Sequence, residues 1–288
     1  MIIPFPPGGT LDTVGRLLAQ KLGDQTGQVF VVENRPGGNG TIGADAVAKA
    51  PADGYTLMFN ASTFTTSTLP LKSPPYDTVK DFAPIALVAK APLAVATAKE
   101  LPVTDVKSLI AHAKANPGKL RFGSSEPSSR LAGEQFKAMT ATDLVHVPYK
   151  GGSQIMTDML GGHVQVGFTS VLTVLQHYKT GKLRVLGVGG SVRSPNMPDI
   201  PTVTEAGLPG YDPVAWYGMY GPKGMPKDVT AKIQQDIAVI AAQPDVKARL
   251  IELGALPVAS TPEDFAKFSQ AEYDKFAKLI KAAGIKAD

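Results

Sequence analysis

Strand-like and helix-like segments alternate along most of this 288-residue chain, and that alternation limits the folds open to it. Apolar runs bounded by turn residues predict strands at 28–33 (QVFVVE), 55–60 (YTLMFN), 119–122, 144–147, 164–168 and 183–188. Two more, at 87–88 and 93–97, are expected to be separated by a break at Pro92. Helical spacing of apolar residues marks Leu11, Val14, Leu17, Leu18 and Leu22, then 41–50, 106–115, 129–139, 155–160 and 171–179. Such an order predicts an α/β protein whose sheet is mostly parallel and covered by helices on both faces. The last quarter differs. An aromatic strand at 215–221 (AWYGMYG) leads into helices at 228–242, 246–253 and 262–283. The last of these opens with Thr261-Pro262-Glu263-Asp264, a capping residue followed by proline at the first helical position.

Where these strands hand over to helices, four turns share one plan of small and hydroxylated residues. They are Pro7–Thr10 within PFPPGGTLD, Asn60-Ala61-Ser62-Thr63, the segment 123–129 (GSSEPSS), and Tyr149-Lys150-Gly151-Gly152-Ser153. The first N–H groups of a helix have no intrahelical acceptor and gather partial positive charge, which suits an anion. In open α/β sheets ligands bind beyond the carboxyl ends of the strands. Hydroxyls, an Asn amide and bare N–H groups with few fixed charges form an inventory for gripping a carboxylate. Each turn also has a plain structural use, since small residues are needed merely to reverse the chain. Asp12 fits either a first-turn acid favouring the helix dipole or an acceptor for a ligand ammonium or hydroxyl. Arg130 fits either a solvent-facing side chain or a bidentate partner for a second ligand carboxylate. Trp216 and Tyr217 fit either the wall of a cleft or the core.

Other chemistries find little support. The chain has no cysteine, which excludes disulfides, thiolate catalysis and cysteine-ligated metals. Its net charge of +4 comes from scattered residues, with no run that would track a nucleic-acid backbone. No stretch approaches the roughly 20 apolar residues of a membrane span. Met1 stands almost on the first strand, so a leader is expected to have preceded it. Gly38-Asn39-Gly40-Thr41-Ile42-Gly43 matches G-x-G-x-x-G, yet the next predicted strand ends in Phe59-Asn60 without the acid that a dinucleotide site wants. His112, His146, His163 and His177 are far apart, and His146, inside a strand, reads as a packed core histidine. There is no G-x-S-x-G elbow, and no sequence cue places a base beside Ser124 or Ser125. No metal or cofactor is expected.

The chain resembles the Bug-type solute-binding proteins, the receptors of tripartite tricarboxylate transporters. The resemblance rests on PFPPGGTLD (4–12), VVENRPGGNGTIGADAVAKAPADGYTLMF (31–59), LAGEQF (131–136), HVPYKGGSQIMTDMLGGHV (146–164), TGKLRVLGV (180–188) and the long segment 193–228, in order over nearly the whole chain. It implies a type II periplasmic binding-protein fold, with two α/β domains around a cleft and two crossing strands near 93–97 and 216–221. Domain one would comprise 1–95 and 222–288, and domain two 96–221. The implied function is capture of a small organic carboxylate for membrane permease subunits, by a periplasmic, monomeric, non-enzymatic receptor. The family's grip carries over to Phe5, Pro7, Gly9 and Thr10 on one side and to Tyr149, Lys150, Gly151 and Gly152 on the other. Asn60, Ser62, Thr63, Ser124 and Ser125 occupy places that commonly line the pocket. The chain departs from the family where Glu126-Pro127-Ser128 replaces glycine-rich sequence, where Arg130 replaces a histidine before LAGE, and where Phe168-Thr169-Ser170 lacks an acidic residue. Gaining Arg130 and losing an acid, with Thr169 in its place, point to a dicarboxylate, aliphatic or aromatic. A two-domain hydrolase using Ser124 or Asp12, and a ligand sensor feeding a signalling protein, are the alternatives.

Overall fold

The computed structural model describes residues 1–283; the tail 284–288 of the expected domain one lies outside the described residues. Tertiary contacts divide the chain into two compact units, Met1–Lys90 with Trp216–Asp288, and Ala91–Ala215. The chain passes from the first to the second within one long strand and returns within another.

The first unit opens with β1 (Ile2–Ile3), which runs parallel to β2 (Glu33–Asn34) and to β3 (Met58–Ala61). Helix α1 (Thr10–Thr26) joins β1 to β2, and α2 (Thr41–Ala48) lies between β2 and β3. The outgoing strand is β4 (Phe82–Ala98); the returning strand, β9 (Val214–Pro222), pairs antiparallel with β3. Helices α7 (Lys227–Ala242), α8 (Pro244–Glu252) and α9 (Pro262–Ala283) follow, and β10 (Leu256–Pro257) pairs antiparallel with β4. The core is aromatic: Phe64, Tyr76, Phe82, Trp216, Tyr220 and Phe265 are all buried together. Trp216 is fully buried, stacks edge-on against Phe265 and Phe268, and donates Nε1–H to Glu272 at 3.3 Å. Of the two readings of Trp216, the core is therefore the one that holds.

In the second unit, alternation along the strands builds a core on each face of one sheet. Strand β5 (Leu120–Ser124) is parallel to β6 (Leu144–Pro148) and to β7 (Val166–Ser170), while β4 is antiparallel to β7 and to β8 (Leu183–Val188). Leu93, Val95, Phe122, Val166 and Phe168 face one way, onto α3 (Val106–Ala115) and α4 (Pro127–Thr140), with Leu109 and Phe136 in the same cluster. Ala94 and Ala96 face the other way, onto α5 (Gly152–Leu160) and α6 (Val171–Lys179), with Ile155, Met159 and Val174. Period-two alternation puts successive residues on opposite faces, so small residues on one side and large ones on the other set the helix distances.

Three expectations need correction. Each sheet is mixed rather than mostly parallel, because the two long strands run against their neighbours. The strand expected at 28–33 is reduced to Glu33–Asn34; β1 offers only two residues to pair with, and Val29 and Val31 are exposed. Pro92 does not split a strand. Ala89 and Lys90 pair with β10, and Leu93 onward pairs with β7, so Pro92 sits at the changeover, where its missing N–H breaks no ladder bond to either.

Gly133 lets α4 pack tightly on the sheet, since a Cβ there would overlap the Phe122 ring. Gly133→Ala should destabilise the protein by about 1–3 kcal/mol through overpacking, read as a lower urea midpoint with an unchanged slope.

Candidate functional site

The turn after β1 is organised by a buried acid. Asp12 Oδ2 accepts from Gly8 N–H at 3.0 Å and from Arg16 Nε at 2.9 Å, while Oδ1 accepts from Asn34 Nδ2 at 2.9 Å. Asn34 also donates to the Phe5 carbonyl, so one side chain ties the turn to β2. Burial alone would raise the Asp12 pKa, but the Arg16, Gly8 and Asn34 hydrogen bonds outweigh it and hold it down at about 2. Its oxygens are thus spent on shaping the turn. Phe5, Pro7, Gly9 and Thr10 form the outer surface of that turn, and Gly9 stands at the start of α1 with no side-chain cap. The parallel pairing of β1 with β3 brings the Asn60–Thr63 turn to the same edge. Asn60 is buried there and turns its Oδ1 back to Ala61 N–H at 2.8 Å. Ser62 is buried, and Thr63 Oγ1 is buried without a hydrogen-bond partner.

The G-x-G-x-x-G segment lies beside this turn and is filled by the chain itself. Asn39 and Gly40 have positive φ, a Cβ on Gly40 would meet the Phe5 ring at 3.2 Å, and one on Gly43 would meet the Arg35 carbonyl at 2.8 Å. These glycines allow close packing of the helix start onto the turn.

In the second unit, β5 and β6 end side by side, and Tyr149 N–H donates to the Ser124 carbonyl at 2.9 Å. Tyr149 OH donates to Asp158 at 2.6 Å; burial, then Asp158, pushes its pKa up to about 12. Lys150 is exposed, and its N–H is taken by Gln154. Gly151 precedes α5 with no side-chain cap, and a Cβ on Gly152 would meet Thr173 at 2.7 Å. Thr169 is buried on β7, next in sequence to Phe168 and therefore on the opposite face, the one that carries α5 and α6.

The face carrying α4 gathers a different group. Ser124, two residues past Phe122, points to the α4 side. His146 lies opposite Phe122 across the parallel ladder, on the same face, and its Nε2 is 2.7 Å from Ser124 Oγ. The 123–129 turn is closed by Ser129, whose Oγ accepts from Ser125 N–H and Glu126 N–H, both at 3.1 Å. Those N–H groups are therefore engaged by the protein itself. One residue later Arg130 is half-buried, and its Nε is fully buried with no hydrogen-bond partner. Burial, and then the positive field of Arg130, lower the His146 pKa below its ordinary value.

Of the candidate residues, then, Ser124, Ser125 and Arg130 come together on one face, and Tyr149, Gly152 and Thr169 on the other. Sequence reasoning missed His146. Ser124 and His146 are 22 residues apart, and only the β5–β6 register joins them. A Ser–His pair also fits a nucleophile with its base, the geometry that the hydrolase alternative would need. Among the described residues no cluster of acids and histidines could hold a metal ion, and no helix is long and apolar enough to cross a membrane.

A family model described as "Tripartite tricarboxylate transporter family receptor" matches residues 14–285. Protein BugT of Bordetella pertussis is 34% identical to this chain over 290 residues, covering 99% of this chain and 89% of that protein. The structure of Rpa4515 from R. palustris with adipate has a TM-score of 0.79 at 34% identity, covering 99% of this chain and 97% of that one. MatC from Rhodopseudomonas palustris with bound malate has a TM-score of 0.75 at 28% identity, covering 97% of each chain.

The Asp12 pKa lies below its unfolded value, so its stabilisation is complete above about pH 4 and is lost as pH falls through about 2. Asp12→Asn should lower stability at pH 7 and flatten the stability–pH curve between about pH 4 and 2, as measured by denaturant unfolding across that range.

Proposed function

The chain belongs to the tripartite tricarboxylate transporter receptor family, and on that footing we propose that it is a periplasmic receptor for a small organic dicarboxylate. The family and its structural neighbours are solute-binding proteins, not enzymes. The fold is that of the two-domain α/β periplasmic binding proteins. A carboxylate ligand is supported by the neighbours described with adipate and with malate.

The observation that carries the dicarboxylate reading is the orphaned Nε of the Arg130 guanidinium. A buried donor without an acceptor costs about 1–3 kcal/mol, more when it is charged, and a ligand carboxylate would remove that cost. Ser124 stands ready as a hydroxyl partner on the same face. In the other unit, the Pro7–Thr10 turn and the Asn60–Thr63 turn supply backbone N–H groups and hydroxyls rather than charge, chemistry that suits a carboxylate held by hydrogen bonds. The uncapped start of α5 at Gly151 offers the same. Delivery to membrane permease subunits by a monomeric receptor is the reading that accords with the family's transport role.

Arg130→Ala should weaken adipate binding about 10- to 100-fold, the equivalent of one charge-assisted contact, while changing the affinity for a monocarboxylate such as hexanoate by less than about threefold. Calorimetric titration of both ligands into both proteins checks it. Equal losses for the two ligands would assign Arg130 to general stability instead.

A further inference from the structure

His146 is not needed to fill space. It is half-buried, and its ring lies 5.0 Å from Phe122, a tilted contact that any aromatic residue would make. What distinguishes it is the 2.7 Å bond between Nε2 and Ser124 Oγ. That bond has two polarities. If Ser124 donates to a bare Nε2, its only proton is spent and its oxygen offers lone pairs alone, which repel a carboxylate. If Nε2 carries the proton and donates, Ser124 keeps its own O–H for an acceptor beyond. Beside an arginine that lacks an acceptor, only the second polarity makes the corner a donor site throughout.

We propose that His146 is a positioning and specificity-determining residue: it donates Nε2–H to Ser124 and so commits the serine hydroxyl, together with Arg130, to a ligand carboxylate. The inference rests on the dicarboxylate reading above. Protonation of His146 leaves the polarity unchanged, because Nε2 is a donor in the imidazolium as well. The charged groups whose fields reach the ring are Arg130, Glu134 and Lys137, all on α4. Strand β5 adds Phe122 and Ser124, which bring no charge, and α5 packs on the far face, where Ile155 and Tyr149 cover Gly123. Glu134 is paired with Lys137 at 3.0 Å, so of these three groups Arg130 is the cation without a counter-ion. A carboxylate arriving at Arg130 offsets that cation and favours the imidazolium. Binding then takes up a proton, and affinity rises as pH falls toward about 6, where the ligand stays largely ionised.

The test is calorimetric titration of adipate into the wild type, His146→Phe, His146→Gln, Ser124→Ala and the double variant that combines His146→Phe with Ser124→Ala, at about pH 6, 7 and 8. The expected result has three parts. His146→Phe, which keeps an aromatic ring against Phe122, weakens adipate at least tenfold, and adding Ser124→Ala costs little more. His146→Gln, which keeps an Nε2–H donor, stays within threefold of the wild type at pH 8. The tightening toward pH 6 disappears in His146→Gln and His146→Phe. The inference is overturned if His146→Phe binds as the wild type does, if Gln fails to rescue, or if the pH dependence survives in the Gln variant. Should His146→Phe fail to fold, the Gln variant against wild type decides by the same pH comparison. A wild-type protein that binds neither adipate nor malate overturns the dicarboxylate reading and this inference together, whereas wild-type binding with indifferent His146 variants overturns this inference alone.

Discussion

Parallel neighbouring strands end at the same edge of a sheet, and the placement of this protein's candidate binding turns depends on that constraint. Each parallel pair forces the chain to turn twice at one edge before it leaves in a helix. Pairing of β1 with β3 puts the Pro7–Thr10 and Asn60–Thr63 turns side by side, although some 50 residues separate them. Pairing of β5 with β6 does the same for the Ser124 and Tyr149 turns, and the bond from Tyr149 N–H to the Ser124 carbonyl locks the two together. The antiparallel pairings belong to the two strands that link the units, and they leave these edges undisturbed.

The turns differ in how far they satisfy themselves. Asp12 accepts from the Gly8 N–H and from the Arg16 and Asn34 side chains, and Ser129 accepts from two backbone N–H groups, which fixes the shape of each turn. Gly9 and Gly151 leave the starts of α1 and α5 without a side-chain cap. Arg130 goes furthest, a charged donor partly buried with no acceptor for its Nε. Stability is given up at such places, because an unpaired buried donor favours unfolding, and the same deficit becomes affinity when a matching acceptor arrives. Ser129 fixes the backbone one residue before Arg130, so the arginine is presented by a rigid helix start rather than by a loose loop.

Much of this was legible in the residues. Helical spacing marked α1, α3 and α5, and the small-residue turns marked the strand ends, because those signals are local. What failed was non-local. QVFVVE has the composition of a strand, but strand formation needs a neighbour, and β1 supplies only two residues. Pro92 looks like a breaker, yet its place at the changeover between two sets of partners leaves no ladder bond for it to remove. Trp216 sits in a strand that could have faced either way, and only the packing of α9 put it in the core. The Ser124–His146 bond is the clearest case. Each residue is visible alone, but their meeting depends on the offset of Phe122 against His146, which no local pattern encodes.

The proposed recognition of a dicarboxylate turns on the unpaired Arg130 donor, and a crystal structure of the protein with adipate tests that claim most directly. The prediction is a carboxylate within hydrogen-bonding distance of both the Arg130 guanidinium and Ser124 Oγ, with His146 Nε2 still on Ser124. Adipate bound with neither carboxylate on Arg130, or Arg130 turned to a protein acceptor in the complex, would contradict it.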